Sequence, residues 1–364
     1  MKKQMGLYVH VPFCSSKCYY CDFLSANNLQ MADSYVETLL SELKFYATQI
    51  QTEITTIFIG GGTPTVLPPL LLHKIVDCIQ TNFKLSQNLE WSIEANPATI
   101  TPEHLKIIQN SKINRVSIGL QSTHNHLLTK LGRIHTFNDW ENTIASLVDI
   151  GIKHINTDVM FALPDQTIDE WEETLQTIVS YNIDHVSAYA LIVEDGTPFA
   201  TQKLNLPTDE QDREMYEIAK SVLRQNGFMQ YEISNWAKPN GECRHNILYW
   251  TLEPYIGAGL GASGYLNKVR YTNTPNLKQY ISGQNIIEEK TQITQQMSIE
   301  EFLFLGLRMT QGVSKREFYN KFGQHIDTQL AKCNIDGVFV QNGDKVALSD
   351  YGINISNKVF SMFI

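Results

Sequence analysis

Residues 6–23, GLYVHVPFCSSKCYYCDF, run an apolar, β-branched segment straight into three cysteines, Cys14, Cys18 and Cys21. These are half of the chain's six cysteines, packed into one short loop. Disulfide staples are spread along a chain, so this cluster points instead to a reducing compartment and a metal centre. Three thiolates spaced CxxxCxxC can wrap three corners of a cubane 4Fe–4S cluster and leave the fourth iron open to an exogenous ligand. A closed zinc tetrahedron is the competing reading, and it would have to recruit His10 or a distant cysteine as fourth ligand. Spacing alone leaves both open.

Outward from that loop, strand-like and helix-like segments alternate as far as about residue 230. Strands are expected at 7–11, 54–59, 89–94, 115–120, 154–161 and 185–191, short runs with the β-branched and aromatic enrichment of buried parallel strands. Helices are expected at 32–48, 67–82, 102–110, 138–150, 168–181 and 209–226. Thr101, Pro102 and Glu103 read as a helix start with proline in the first turn, and Gly227 reads as a C-cap. Six βα units in series imply an α/β fold, a parallel sheet with right-handed crossovers closed or partly closed into a (βα)6 barrel. Ligands of such sheets gather at the carboxyl ends of the strands. The cysteine loop, residues 60–64, residues 94–97 and Gln121 with Ser122 all fall there, and Asp158 lies within the fifth strand. Each alone is ordinary turn chemistry; their recurrence at one end marks a shared site.

The pattern loosens after residue 230. Residues 231–290 are rich in aromatics and glycines without long helical periodicity. From Ser298 onward, EEFLFLGLRM, helices at 315–322 and 325–332, and strand-like pieces at 337–341 and 345–348 resemble a small winged-helix module. The expected division is 1–230 core barrel, 231–290 connecting segment and 291–364 carboxy-terminal module, with no internal repeat. A net charge of −9 offers no basic footprint for nucleic acid. No run reaches the ~18 apolar residues of a membrane span. Lys2 and Lys3 precede an apolar run that His10 and Pro12 interrupt, unlike a secretion signal. A cytoplasmic protein is expected, with docking on the inner face of a membrane left open.

Taken together, CSSKCYYC after the first strand and GGGTP after the second resemble the radical S-adenosylmethionine (SAM) superfamily. The resemblance implies that SAM chelates the open iron, with Tyr20 against the adenine. Carried over residue by residue, the family's SAM contacts fall on Tyr8, Tyr20, Gly61, Gly62, Thr63, Glu94, Gln121, Arg133 and Asp158. Carboxylates suit ribose hydroxyls, Arg133 suits a carboxylate, and glycines at 60–62 would let the backbone approach the methionine moiety. The plainer reading of Arg133 and Asp158 is a structural ion pair.

Over nearly its whole length the chain resembles the anaerobic coproporphyrinogen-III oxidase-like family, which holds both oxygen-independent coproporphyrinogen III dehydrogenases and haem chaperones. Two features separate these branches. The dehydrogenases carry a further cysteine two positions after the third, where this chain has Phe23, and an amino-terminal extension ahead of the loop. The segment His245-Asn246-Ile247-Leu248-Tyr249-Trp250 matches the HNxxYW motif of the haem chaperones. The imidazole of His245 is a natural axial ligand for haem iron, and Tyr249 and Trp250 offer flat apolar faces to a porphyrin. The resemblance thus implies haem as carried ligand and haem-requiring respiratory proteins as acceptors, with flavodoxin or ferredoxin as electron donor if SAM is cleaved. Oxidative decarboxylation of coproporphyrinogen III is the competing function, and a zinc-stabilised binding module a third. Cys78, Cys243 and Cys333 read as core, with the Cys243 thiolate an alternative ligand to His245. His10 either meets ligand or fills the barrel, and His124 and His126 read as surface residues at a helix start. The run GAGLGAS at 257–263 lacks the lysine of a phosphate loop.

Overall fold

The computed structural model describes residues 4–364, so Lys2 and Lys3 lie outside the described residues. Six parallel strands stand side by side in chain order: β1 (Gly6–Val11), β2 (Ile54–Gly61), β3 (Leu85–Ala95), β4 (Arg115–Gln121), β5 (His154–Phe161) and β6 (His185–Ala190). The returns run through α1 (Ala32–Gln49), α2 (Pro69–Asn82), α3 (Pro102–Gln109), α4 (Asn125–Lys130), α5 (Phe137–Asp149) and α6 (Ile168–Val179), and α7 (Asp209–Gln225) follows β6. Successive strand residues face opposite sides. Leu7, Val9 and Val11 therefore bury against the helices, while Tyr8 and His10 face the barrel interior. Register then stacks polar residues in rows, with Ser117 beside Asn156 and Asn156 beside His185, and Gly119 beside Asp158 and Asp158 beside Ser187.

The helix starts are written locally. Thr101, Thr136, Thr167 and Thr208 each close a capping box, in which the threonine oxygen accepts an N–H of the first turn and a side chain answers from that turn. Gly227, at φ +82°, ends α7 as expected.

The sheet continues past the barrel at both edges. β7 (Met229–Glu232) and β8 (Asn235–Ala237) add antiparallel strands beyond β6, and α8 (Arg244–Trp250) follows them. β9 (Tyr255–Ala258) pairs parallel with β1, and β10 (Ser263–Leu266), β11 (Val269–Asn273) and, after α9 (Leu277–Ile281), β12 (Ile287–Gln292) extend it as a meander. Residues 231–290 are therefore built into the barrel sheet rather than set between two modules. Without β9 the buried edge of β1 would leave its backbone groups unpaired.

The remaining chain forms α10 (Gln295–Gly306), β13 (Val313–Ser314), α11 (Lys315–Phe322), α12 (Asp327–Leu330), β14 (Phe339–Asn342), β15 (Lys345–Leu348), α13 (Asp350–Asn354) and α14 (Ser356–Phe360). Its three-stranded sheet, in the order β13-β15-β14, and a separate core around Phe302, Phe318 and Val359 make the winged-helix module. Arg308 ties it to the barrel through the fully buried Glu232 at 3.4 Å. Among the described residues no helix is long and apolar enough to cross a membrane.

Candidate functional site

The cysteine loop is pinned to the end of β1. Cys14 N–H donates to Ala26 O at 3.1 Å, and Ala26 N–H to Pro12 O at 2.6 Å. His10 Nε2 lies 2.9 Å from the Leu24 carbonyl, which can only accept, so Nε2 carries the proton and Nδ1 accepts from the Tyr8 hydroxyl at 2.9 Å. Burial holds the His10 pKa below its ordinary value, which keeps that neutral tautomer. His10 is thus the anchor of the loop.

All three thiols line one cavity of about 150 Å³ at the barrel mouth. Cys14 Sγ lies 3.7 Å from Thr63 Oγ1, and Cys18 Sγ accepts from Arg133 Nη1 at 3.5 Å. Burial pushes the Cys14 and Cys21 thiols up, so they await a metal to deprotonate them. Among the described residues the sole three-donor group within 4.8 Å is His124, His126 and Glu170. The three sulfurs therefore do not all lie within 4.8 Å of one another, whereas the 2.3 Å bonds of a closed zinc site set sulfurs ~3.8 Å apart. Among the described residues no other cysteine lines the cavity. Three widely set soft donors fit a polynuclear iron–sulfur cluster better than a single closed zinc.

Around the same cavity stand Tyr20 from the cysteine loop, Gly61, Gly62, Thr63, Glu94 and Gln121 from the ends of β2, β3 and β4, Arg133 from the turn after α4, and Asp158 from β5; Tyr8 lines the cavity next to it. The glycines also have a reason within the chain itself. A Cβ on Gly62 would stand 2.6 Å from Phe13 O, and one on Gly61, at φ +105°, 2.4 Å from the His10 ring. The chain itself crowds them, because the β2 loop runs directly under the cysteine loop, with Thr63 N–H donating to Phe13 O at 2.7 Å. At β4 the register shifts between Gly119 and Gln121, and Gln121 takes φ +74°. This opens room for Arg133, whose Nη2 donates to Gly119 O. Among the described residues Arg133 forms no ion pair with Asp158, and its Nε is buried without a partner. The structural ion pair is not formed.

Two carboxyls share this wall. Burial, reinforced by the nearby Asp158, pushes Glu94 up to about 7, against one favourable bond from Gly61 N–H at 2.9 Å. Burial raises Asp158 as well, offset by the Asn156 amide at 2.7 Å and the Ser117 hydroxyl at 3.2 Å. The pair carries less than two full charges near neutrality.

Deeper in the barrel lies a second cavity of about 230 Å³, which shares Glu94, Ser117 and Asp158 with the first. α8 is aimed into it by Glu90 on β3, whose carboxylate accepts Arg244 N–H at 3.0 Å and His245 N–H at 2.8 Å. An anion at a helix N-terminus is favourable, and Arg115 balances it at 3.5 Å. His245 stacks on Phe58, with Nδ1 2.9 Å from Thr56 Oγ1 and Nε2 2.8 Å from the Tyr249 hydroxyl. Burial drives its pKa down to about 3, leaving a neutral imidazole. Trp250 does not share this face. One residue is about 100° of helix, which turns Trp250 away from the cavity to lie under the Arg308 guanidinium at 4.6 Å. The Cys243 thiol, pushed up to about 12 by burial, lies 3.8 Å from Glu90 Oε1.

Residues 8–178 match the radical SAM superfamily, and residues 293–354 match the HemN C-terminal domain. A Bacillus subtilis (strain 168) protein named haem chaperone HemW is 39% identical, over 98% of this chain and 98% of its own length. Its namesakes in Lactococcus lactis and Escherichia coli K12 are 34% and 31% identical, over 100% and 99% of this chain and 98% of each relative. The chain belongs to the HemW family. The solved structure of Escherichia coli coproporphyrinogen III oxidase (HemN), described as a radical SAM enzyme, gives a TM-score of 0.87 over 100% of this chain and 90% of that one. At 20% identity that is a likeness of fold.

Membership of the HemW family, within the radical SAM superfamily, implies a 4Fe–4S cluster and SAM, and three thiols lining one cavity suit the cluster. Phe23 stands at its rim, 66% exposed. Sequence reasoning missed Glu90, Ser117, Asn156 and Thr56, because their importance comes from partners on other strands. Only the polar residues inside otherwise apolar strands could have signalled them.

Proposed function

We propose that this HemW-family chain is a haem chaperone that binds haem and passes it to haem-requiring respiratory proteins, with a 4Fe–4S cluster on Cys14, Cys18 and Cys21 and SAM beside it. The observation that carries this reading is the near-full-length likeness to relatives named haem chaperone HemW. The cluster, when bound, offers an open iron for SAM and, if reduced, one electron. The chain's own residues do the positioning. Arg133, with a donor to spare, pairs with the SAM carboxylate, Glu94 and Asp158 accept from hydroxyls, and Gly61, Gly62 and Thr63 offer backbone groups. Tyr8, Tyr20 and Gln121 complete the walls, Tyr20 against the adenine.

Haem enters on the side of His245. A neutral imidazole is the ligating form, yet Nε2 is capped by Tyr249 and the 230 Å³ cavity lies below the ~300–1,000 Å³ that enclose drug-sized ligands. Haem loading therefore requires the Tyr249 hydroxyl to leave Nε2 and α8 to part from β2. Because the two cavities share Glu94 and Asp158, SAM in one alters the wall of the other, which couples the cluster to haem release. The working place is the cytoplasm, at the inner membrane face when meeting an acceptor, with flavodoxin or ferredoxin as donor if SAM is cleaved.

The alternative, oxygen-independent coproporphyrinogen III dehydrogenase, is favoured by fold alone, and Phe23 stands where that branch has a cysteine. The reading predicts that Cys14→Ala abolishes the cluster and leaves most haem binding intact. Loss of haem binding together with the cluster, in a chain that remains folded, overturns it.

A further inference from the structure

We infer that His124, His126 and Glu170, with Glu173 in reach of His124, form a site for a zinc-class divalent cation that clamps α4 to α6, beside the cluster but separate from it. His124 precedes the first residue of α4, His126 sits in its first turn, and the two glutamates lie on the start of α6. One donor atom each from His124, His126 and Glu170 falls within a 4.8 Å span, as in no other group among the described residues. His126 Nε2 stands 3.1 Å from Glu170 Oε1, and His124 Nε2 3.5 Å from Glu173 Oε2. Those separations match the ~3.3 Å edges of a tetrahedron with bonds of 2.0–2.2 Å.

The site has a built outer shell. Glu170 Oε2 accepts the Thr167 N–H at 2.9 Å and its hydroxyl at 3.0 Å, which turns Oε1 toward the histidines. His124 Nε2 also lies 3.1 Å from the Glu170 carbonyl, so without metal its N–H donates there and metal displaces that proton. Two imidazoles with carboxylates suit zinc and its neighbours rather than magnesium or calcium, which want oxygen alone. The side chains of His126 and Glu173 are 54% and 69% exposed, so an ion enters from solvent.

Its position gives the clamp a consequence. α4 runs on into Leu131, whose carbonyl accepts Tyr19 N–H at 3.0 Å, and Arg133, which donates to Cys18 Sγ. Holding the start of α4 against α6 steadies the strap that carries both contacts to the cysteine loop.

The test uses the full, cluster-loaded chain under anaerobic conditions, so that the cysteines are occupied, with Zn2+ as probe and Mg2+ as control. The wild type takes up one equivalent of zinc more than His126→Ala, or binds it at least about tenfold more tightly than His126→Ala and His124→Ala. Zinc slows amide exchange over residues 125–133 in the wild type alone. His126 is half exposed, so its alanine variant melts like the wild type without metal. Equal zinc uptake in wild type and both variants overturns the site, uptake without slowed exchange overturns the clamp, and equal protection by Mg2+ overturns the metal class. None of these outcomes depends on haem binding.

Discussion

Glu94 meets two opposed demands, a bond to Gly61 N–H that suits the anion and a buried wall shared with Asp158 that does not. Its pKa near 7, against an ordinary 4.5, means that the folded chain binds more protons than the unfolded one between those values. Stability therefore falls as pH rises from 4.5 to about 7, and the loss is complete above that. Glu94→Gln keeps an acceptor for Gly61 and removes the titration. Urea unfolding of the cluster-free variant at about pH 5 and about pH 7.5 is expected to show a pH-dependent loss smaller than that of the wild type by ~1–3 kcal/mol. An unchanged pH dependence would place the titration elsewhere. At His245 the competitor is a neighbouring side chain. Tyr249→Phe removes the hydroxyl that caps Nε2, so haem binding should persist and tighten by up to about fivefold, roughly 1 kcal/mol. His245→Ala should lose the imidazole-ligated absorption spectrum; an unchanged spectrum in that variant excludes His245 as the ligand. Single residues were legible where chemistry is local. The cysteine spacing is a local pattern, and Glu94 and Asp158 were named through the family resemblance, whereas His10 needed Leu24, fourteen positions on, to reveal its task. Trp250 was grouped with Tyr249 through the HNxxYW motif, but about 100° of helix between neighbours turns it to a different face, under Arg308.

Long elements declare themselves and short ones borrow their definition. The six barrel strands and their helices carry enough β-branched or amphipathic residues to be read within a few positions. β7 to β12 span only three to six residues each, and they form strands because the otherwise unpaired edges of β1 and β6 offer backbone groups to pair. α8 likewise takes its N-terminal cap from Glu90, more than a hundred and fifty residues earlier. The loop after β2 is where an element-level prediction is sharpest. Gly62→Ala sets a Cβ 2.6 Å from the Phe13 carbonyl, so the cysteine loop must move; the expected cost is ~1–3 kcal/mol, with less iron and sulfide retained per chain after reconstitution. A variant that holds a full cluster at wild-type stability would show that ligand approach, not chain crowding, fixes that glycine.

At the scale of the molecule, a radical SAM barrel with three cysteines at its mouth is joined to a winged module that clasps α8 from outside, through Arg308 over Trp250 and against Glu232. Glu232 is fully buried and also accepts the Ser234 N–H, so this joint is specified by charge as well as by packing. α8 thus has His245 facing the inner cavity and Trp250 facing the module, which makes it the element that joins that cavity to the module. The HemN-like fold is compatible with either transfer of haem or decarboxylation of a porphyrinogen, and the two part company in one experiment. The anaerobically reconstituted chain is given SAM, a one-electron donor and coproporphyrinogen III, then haem with an apo-acceptor. The account predicts haem bound through His245 and delivered to the acceptor, with no decarboxylated porphyrinogen beyond trace; decarboxylation in catalytic yield, with no haem transfer, would contradict it.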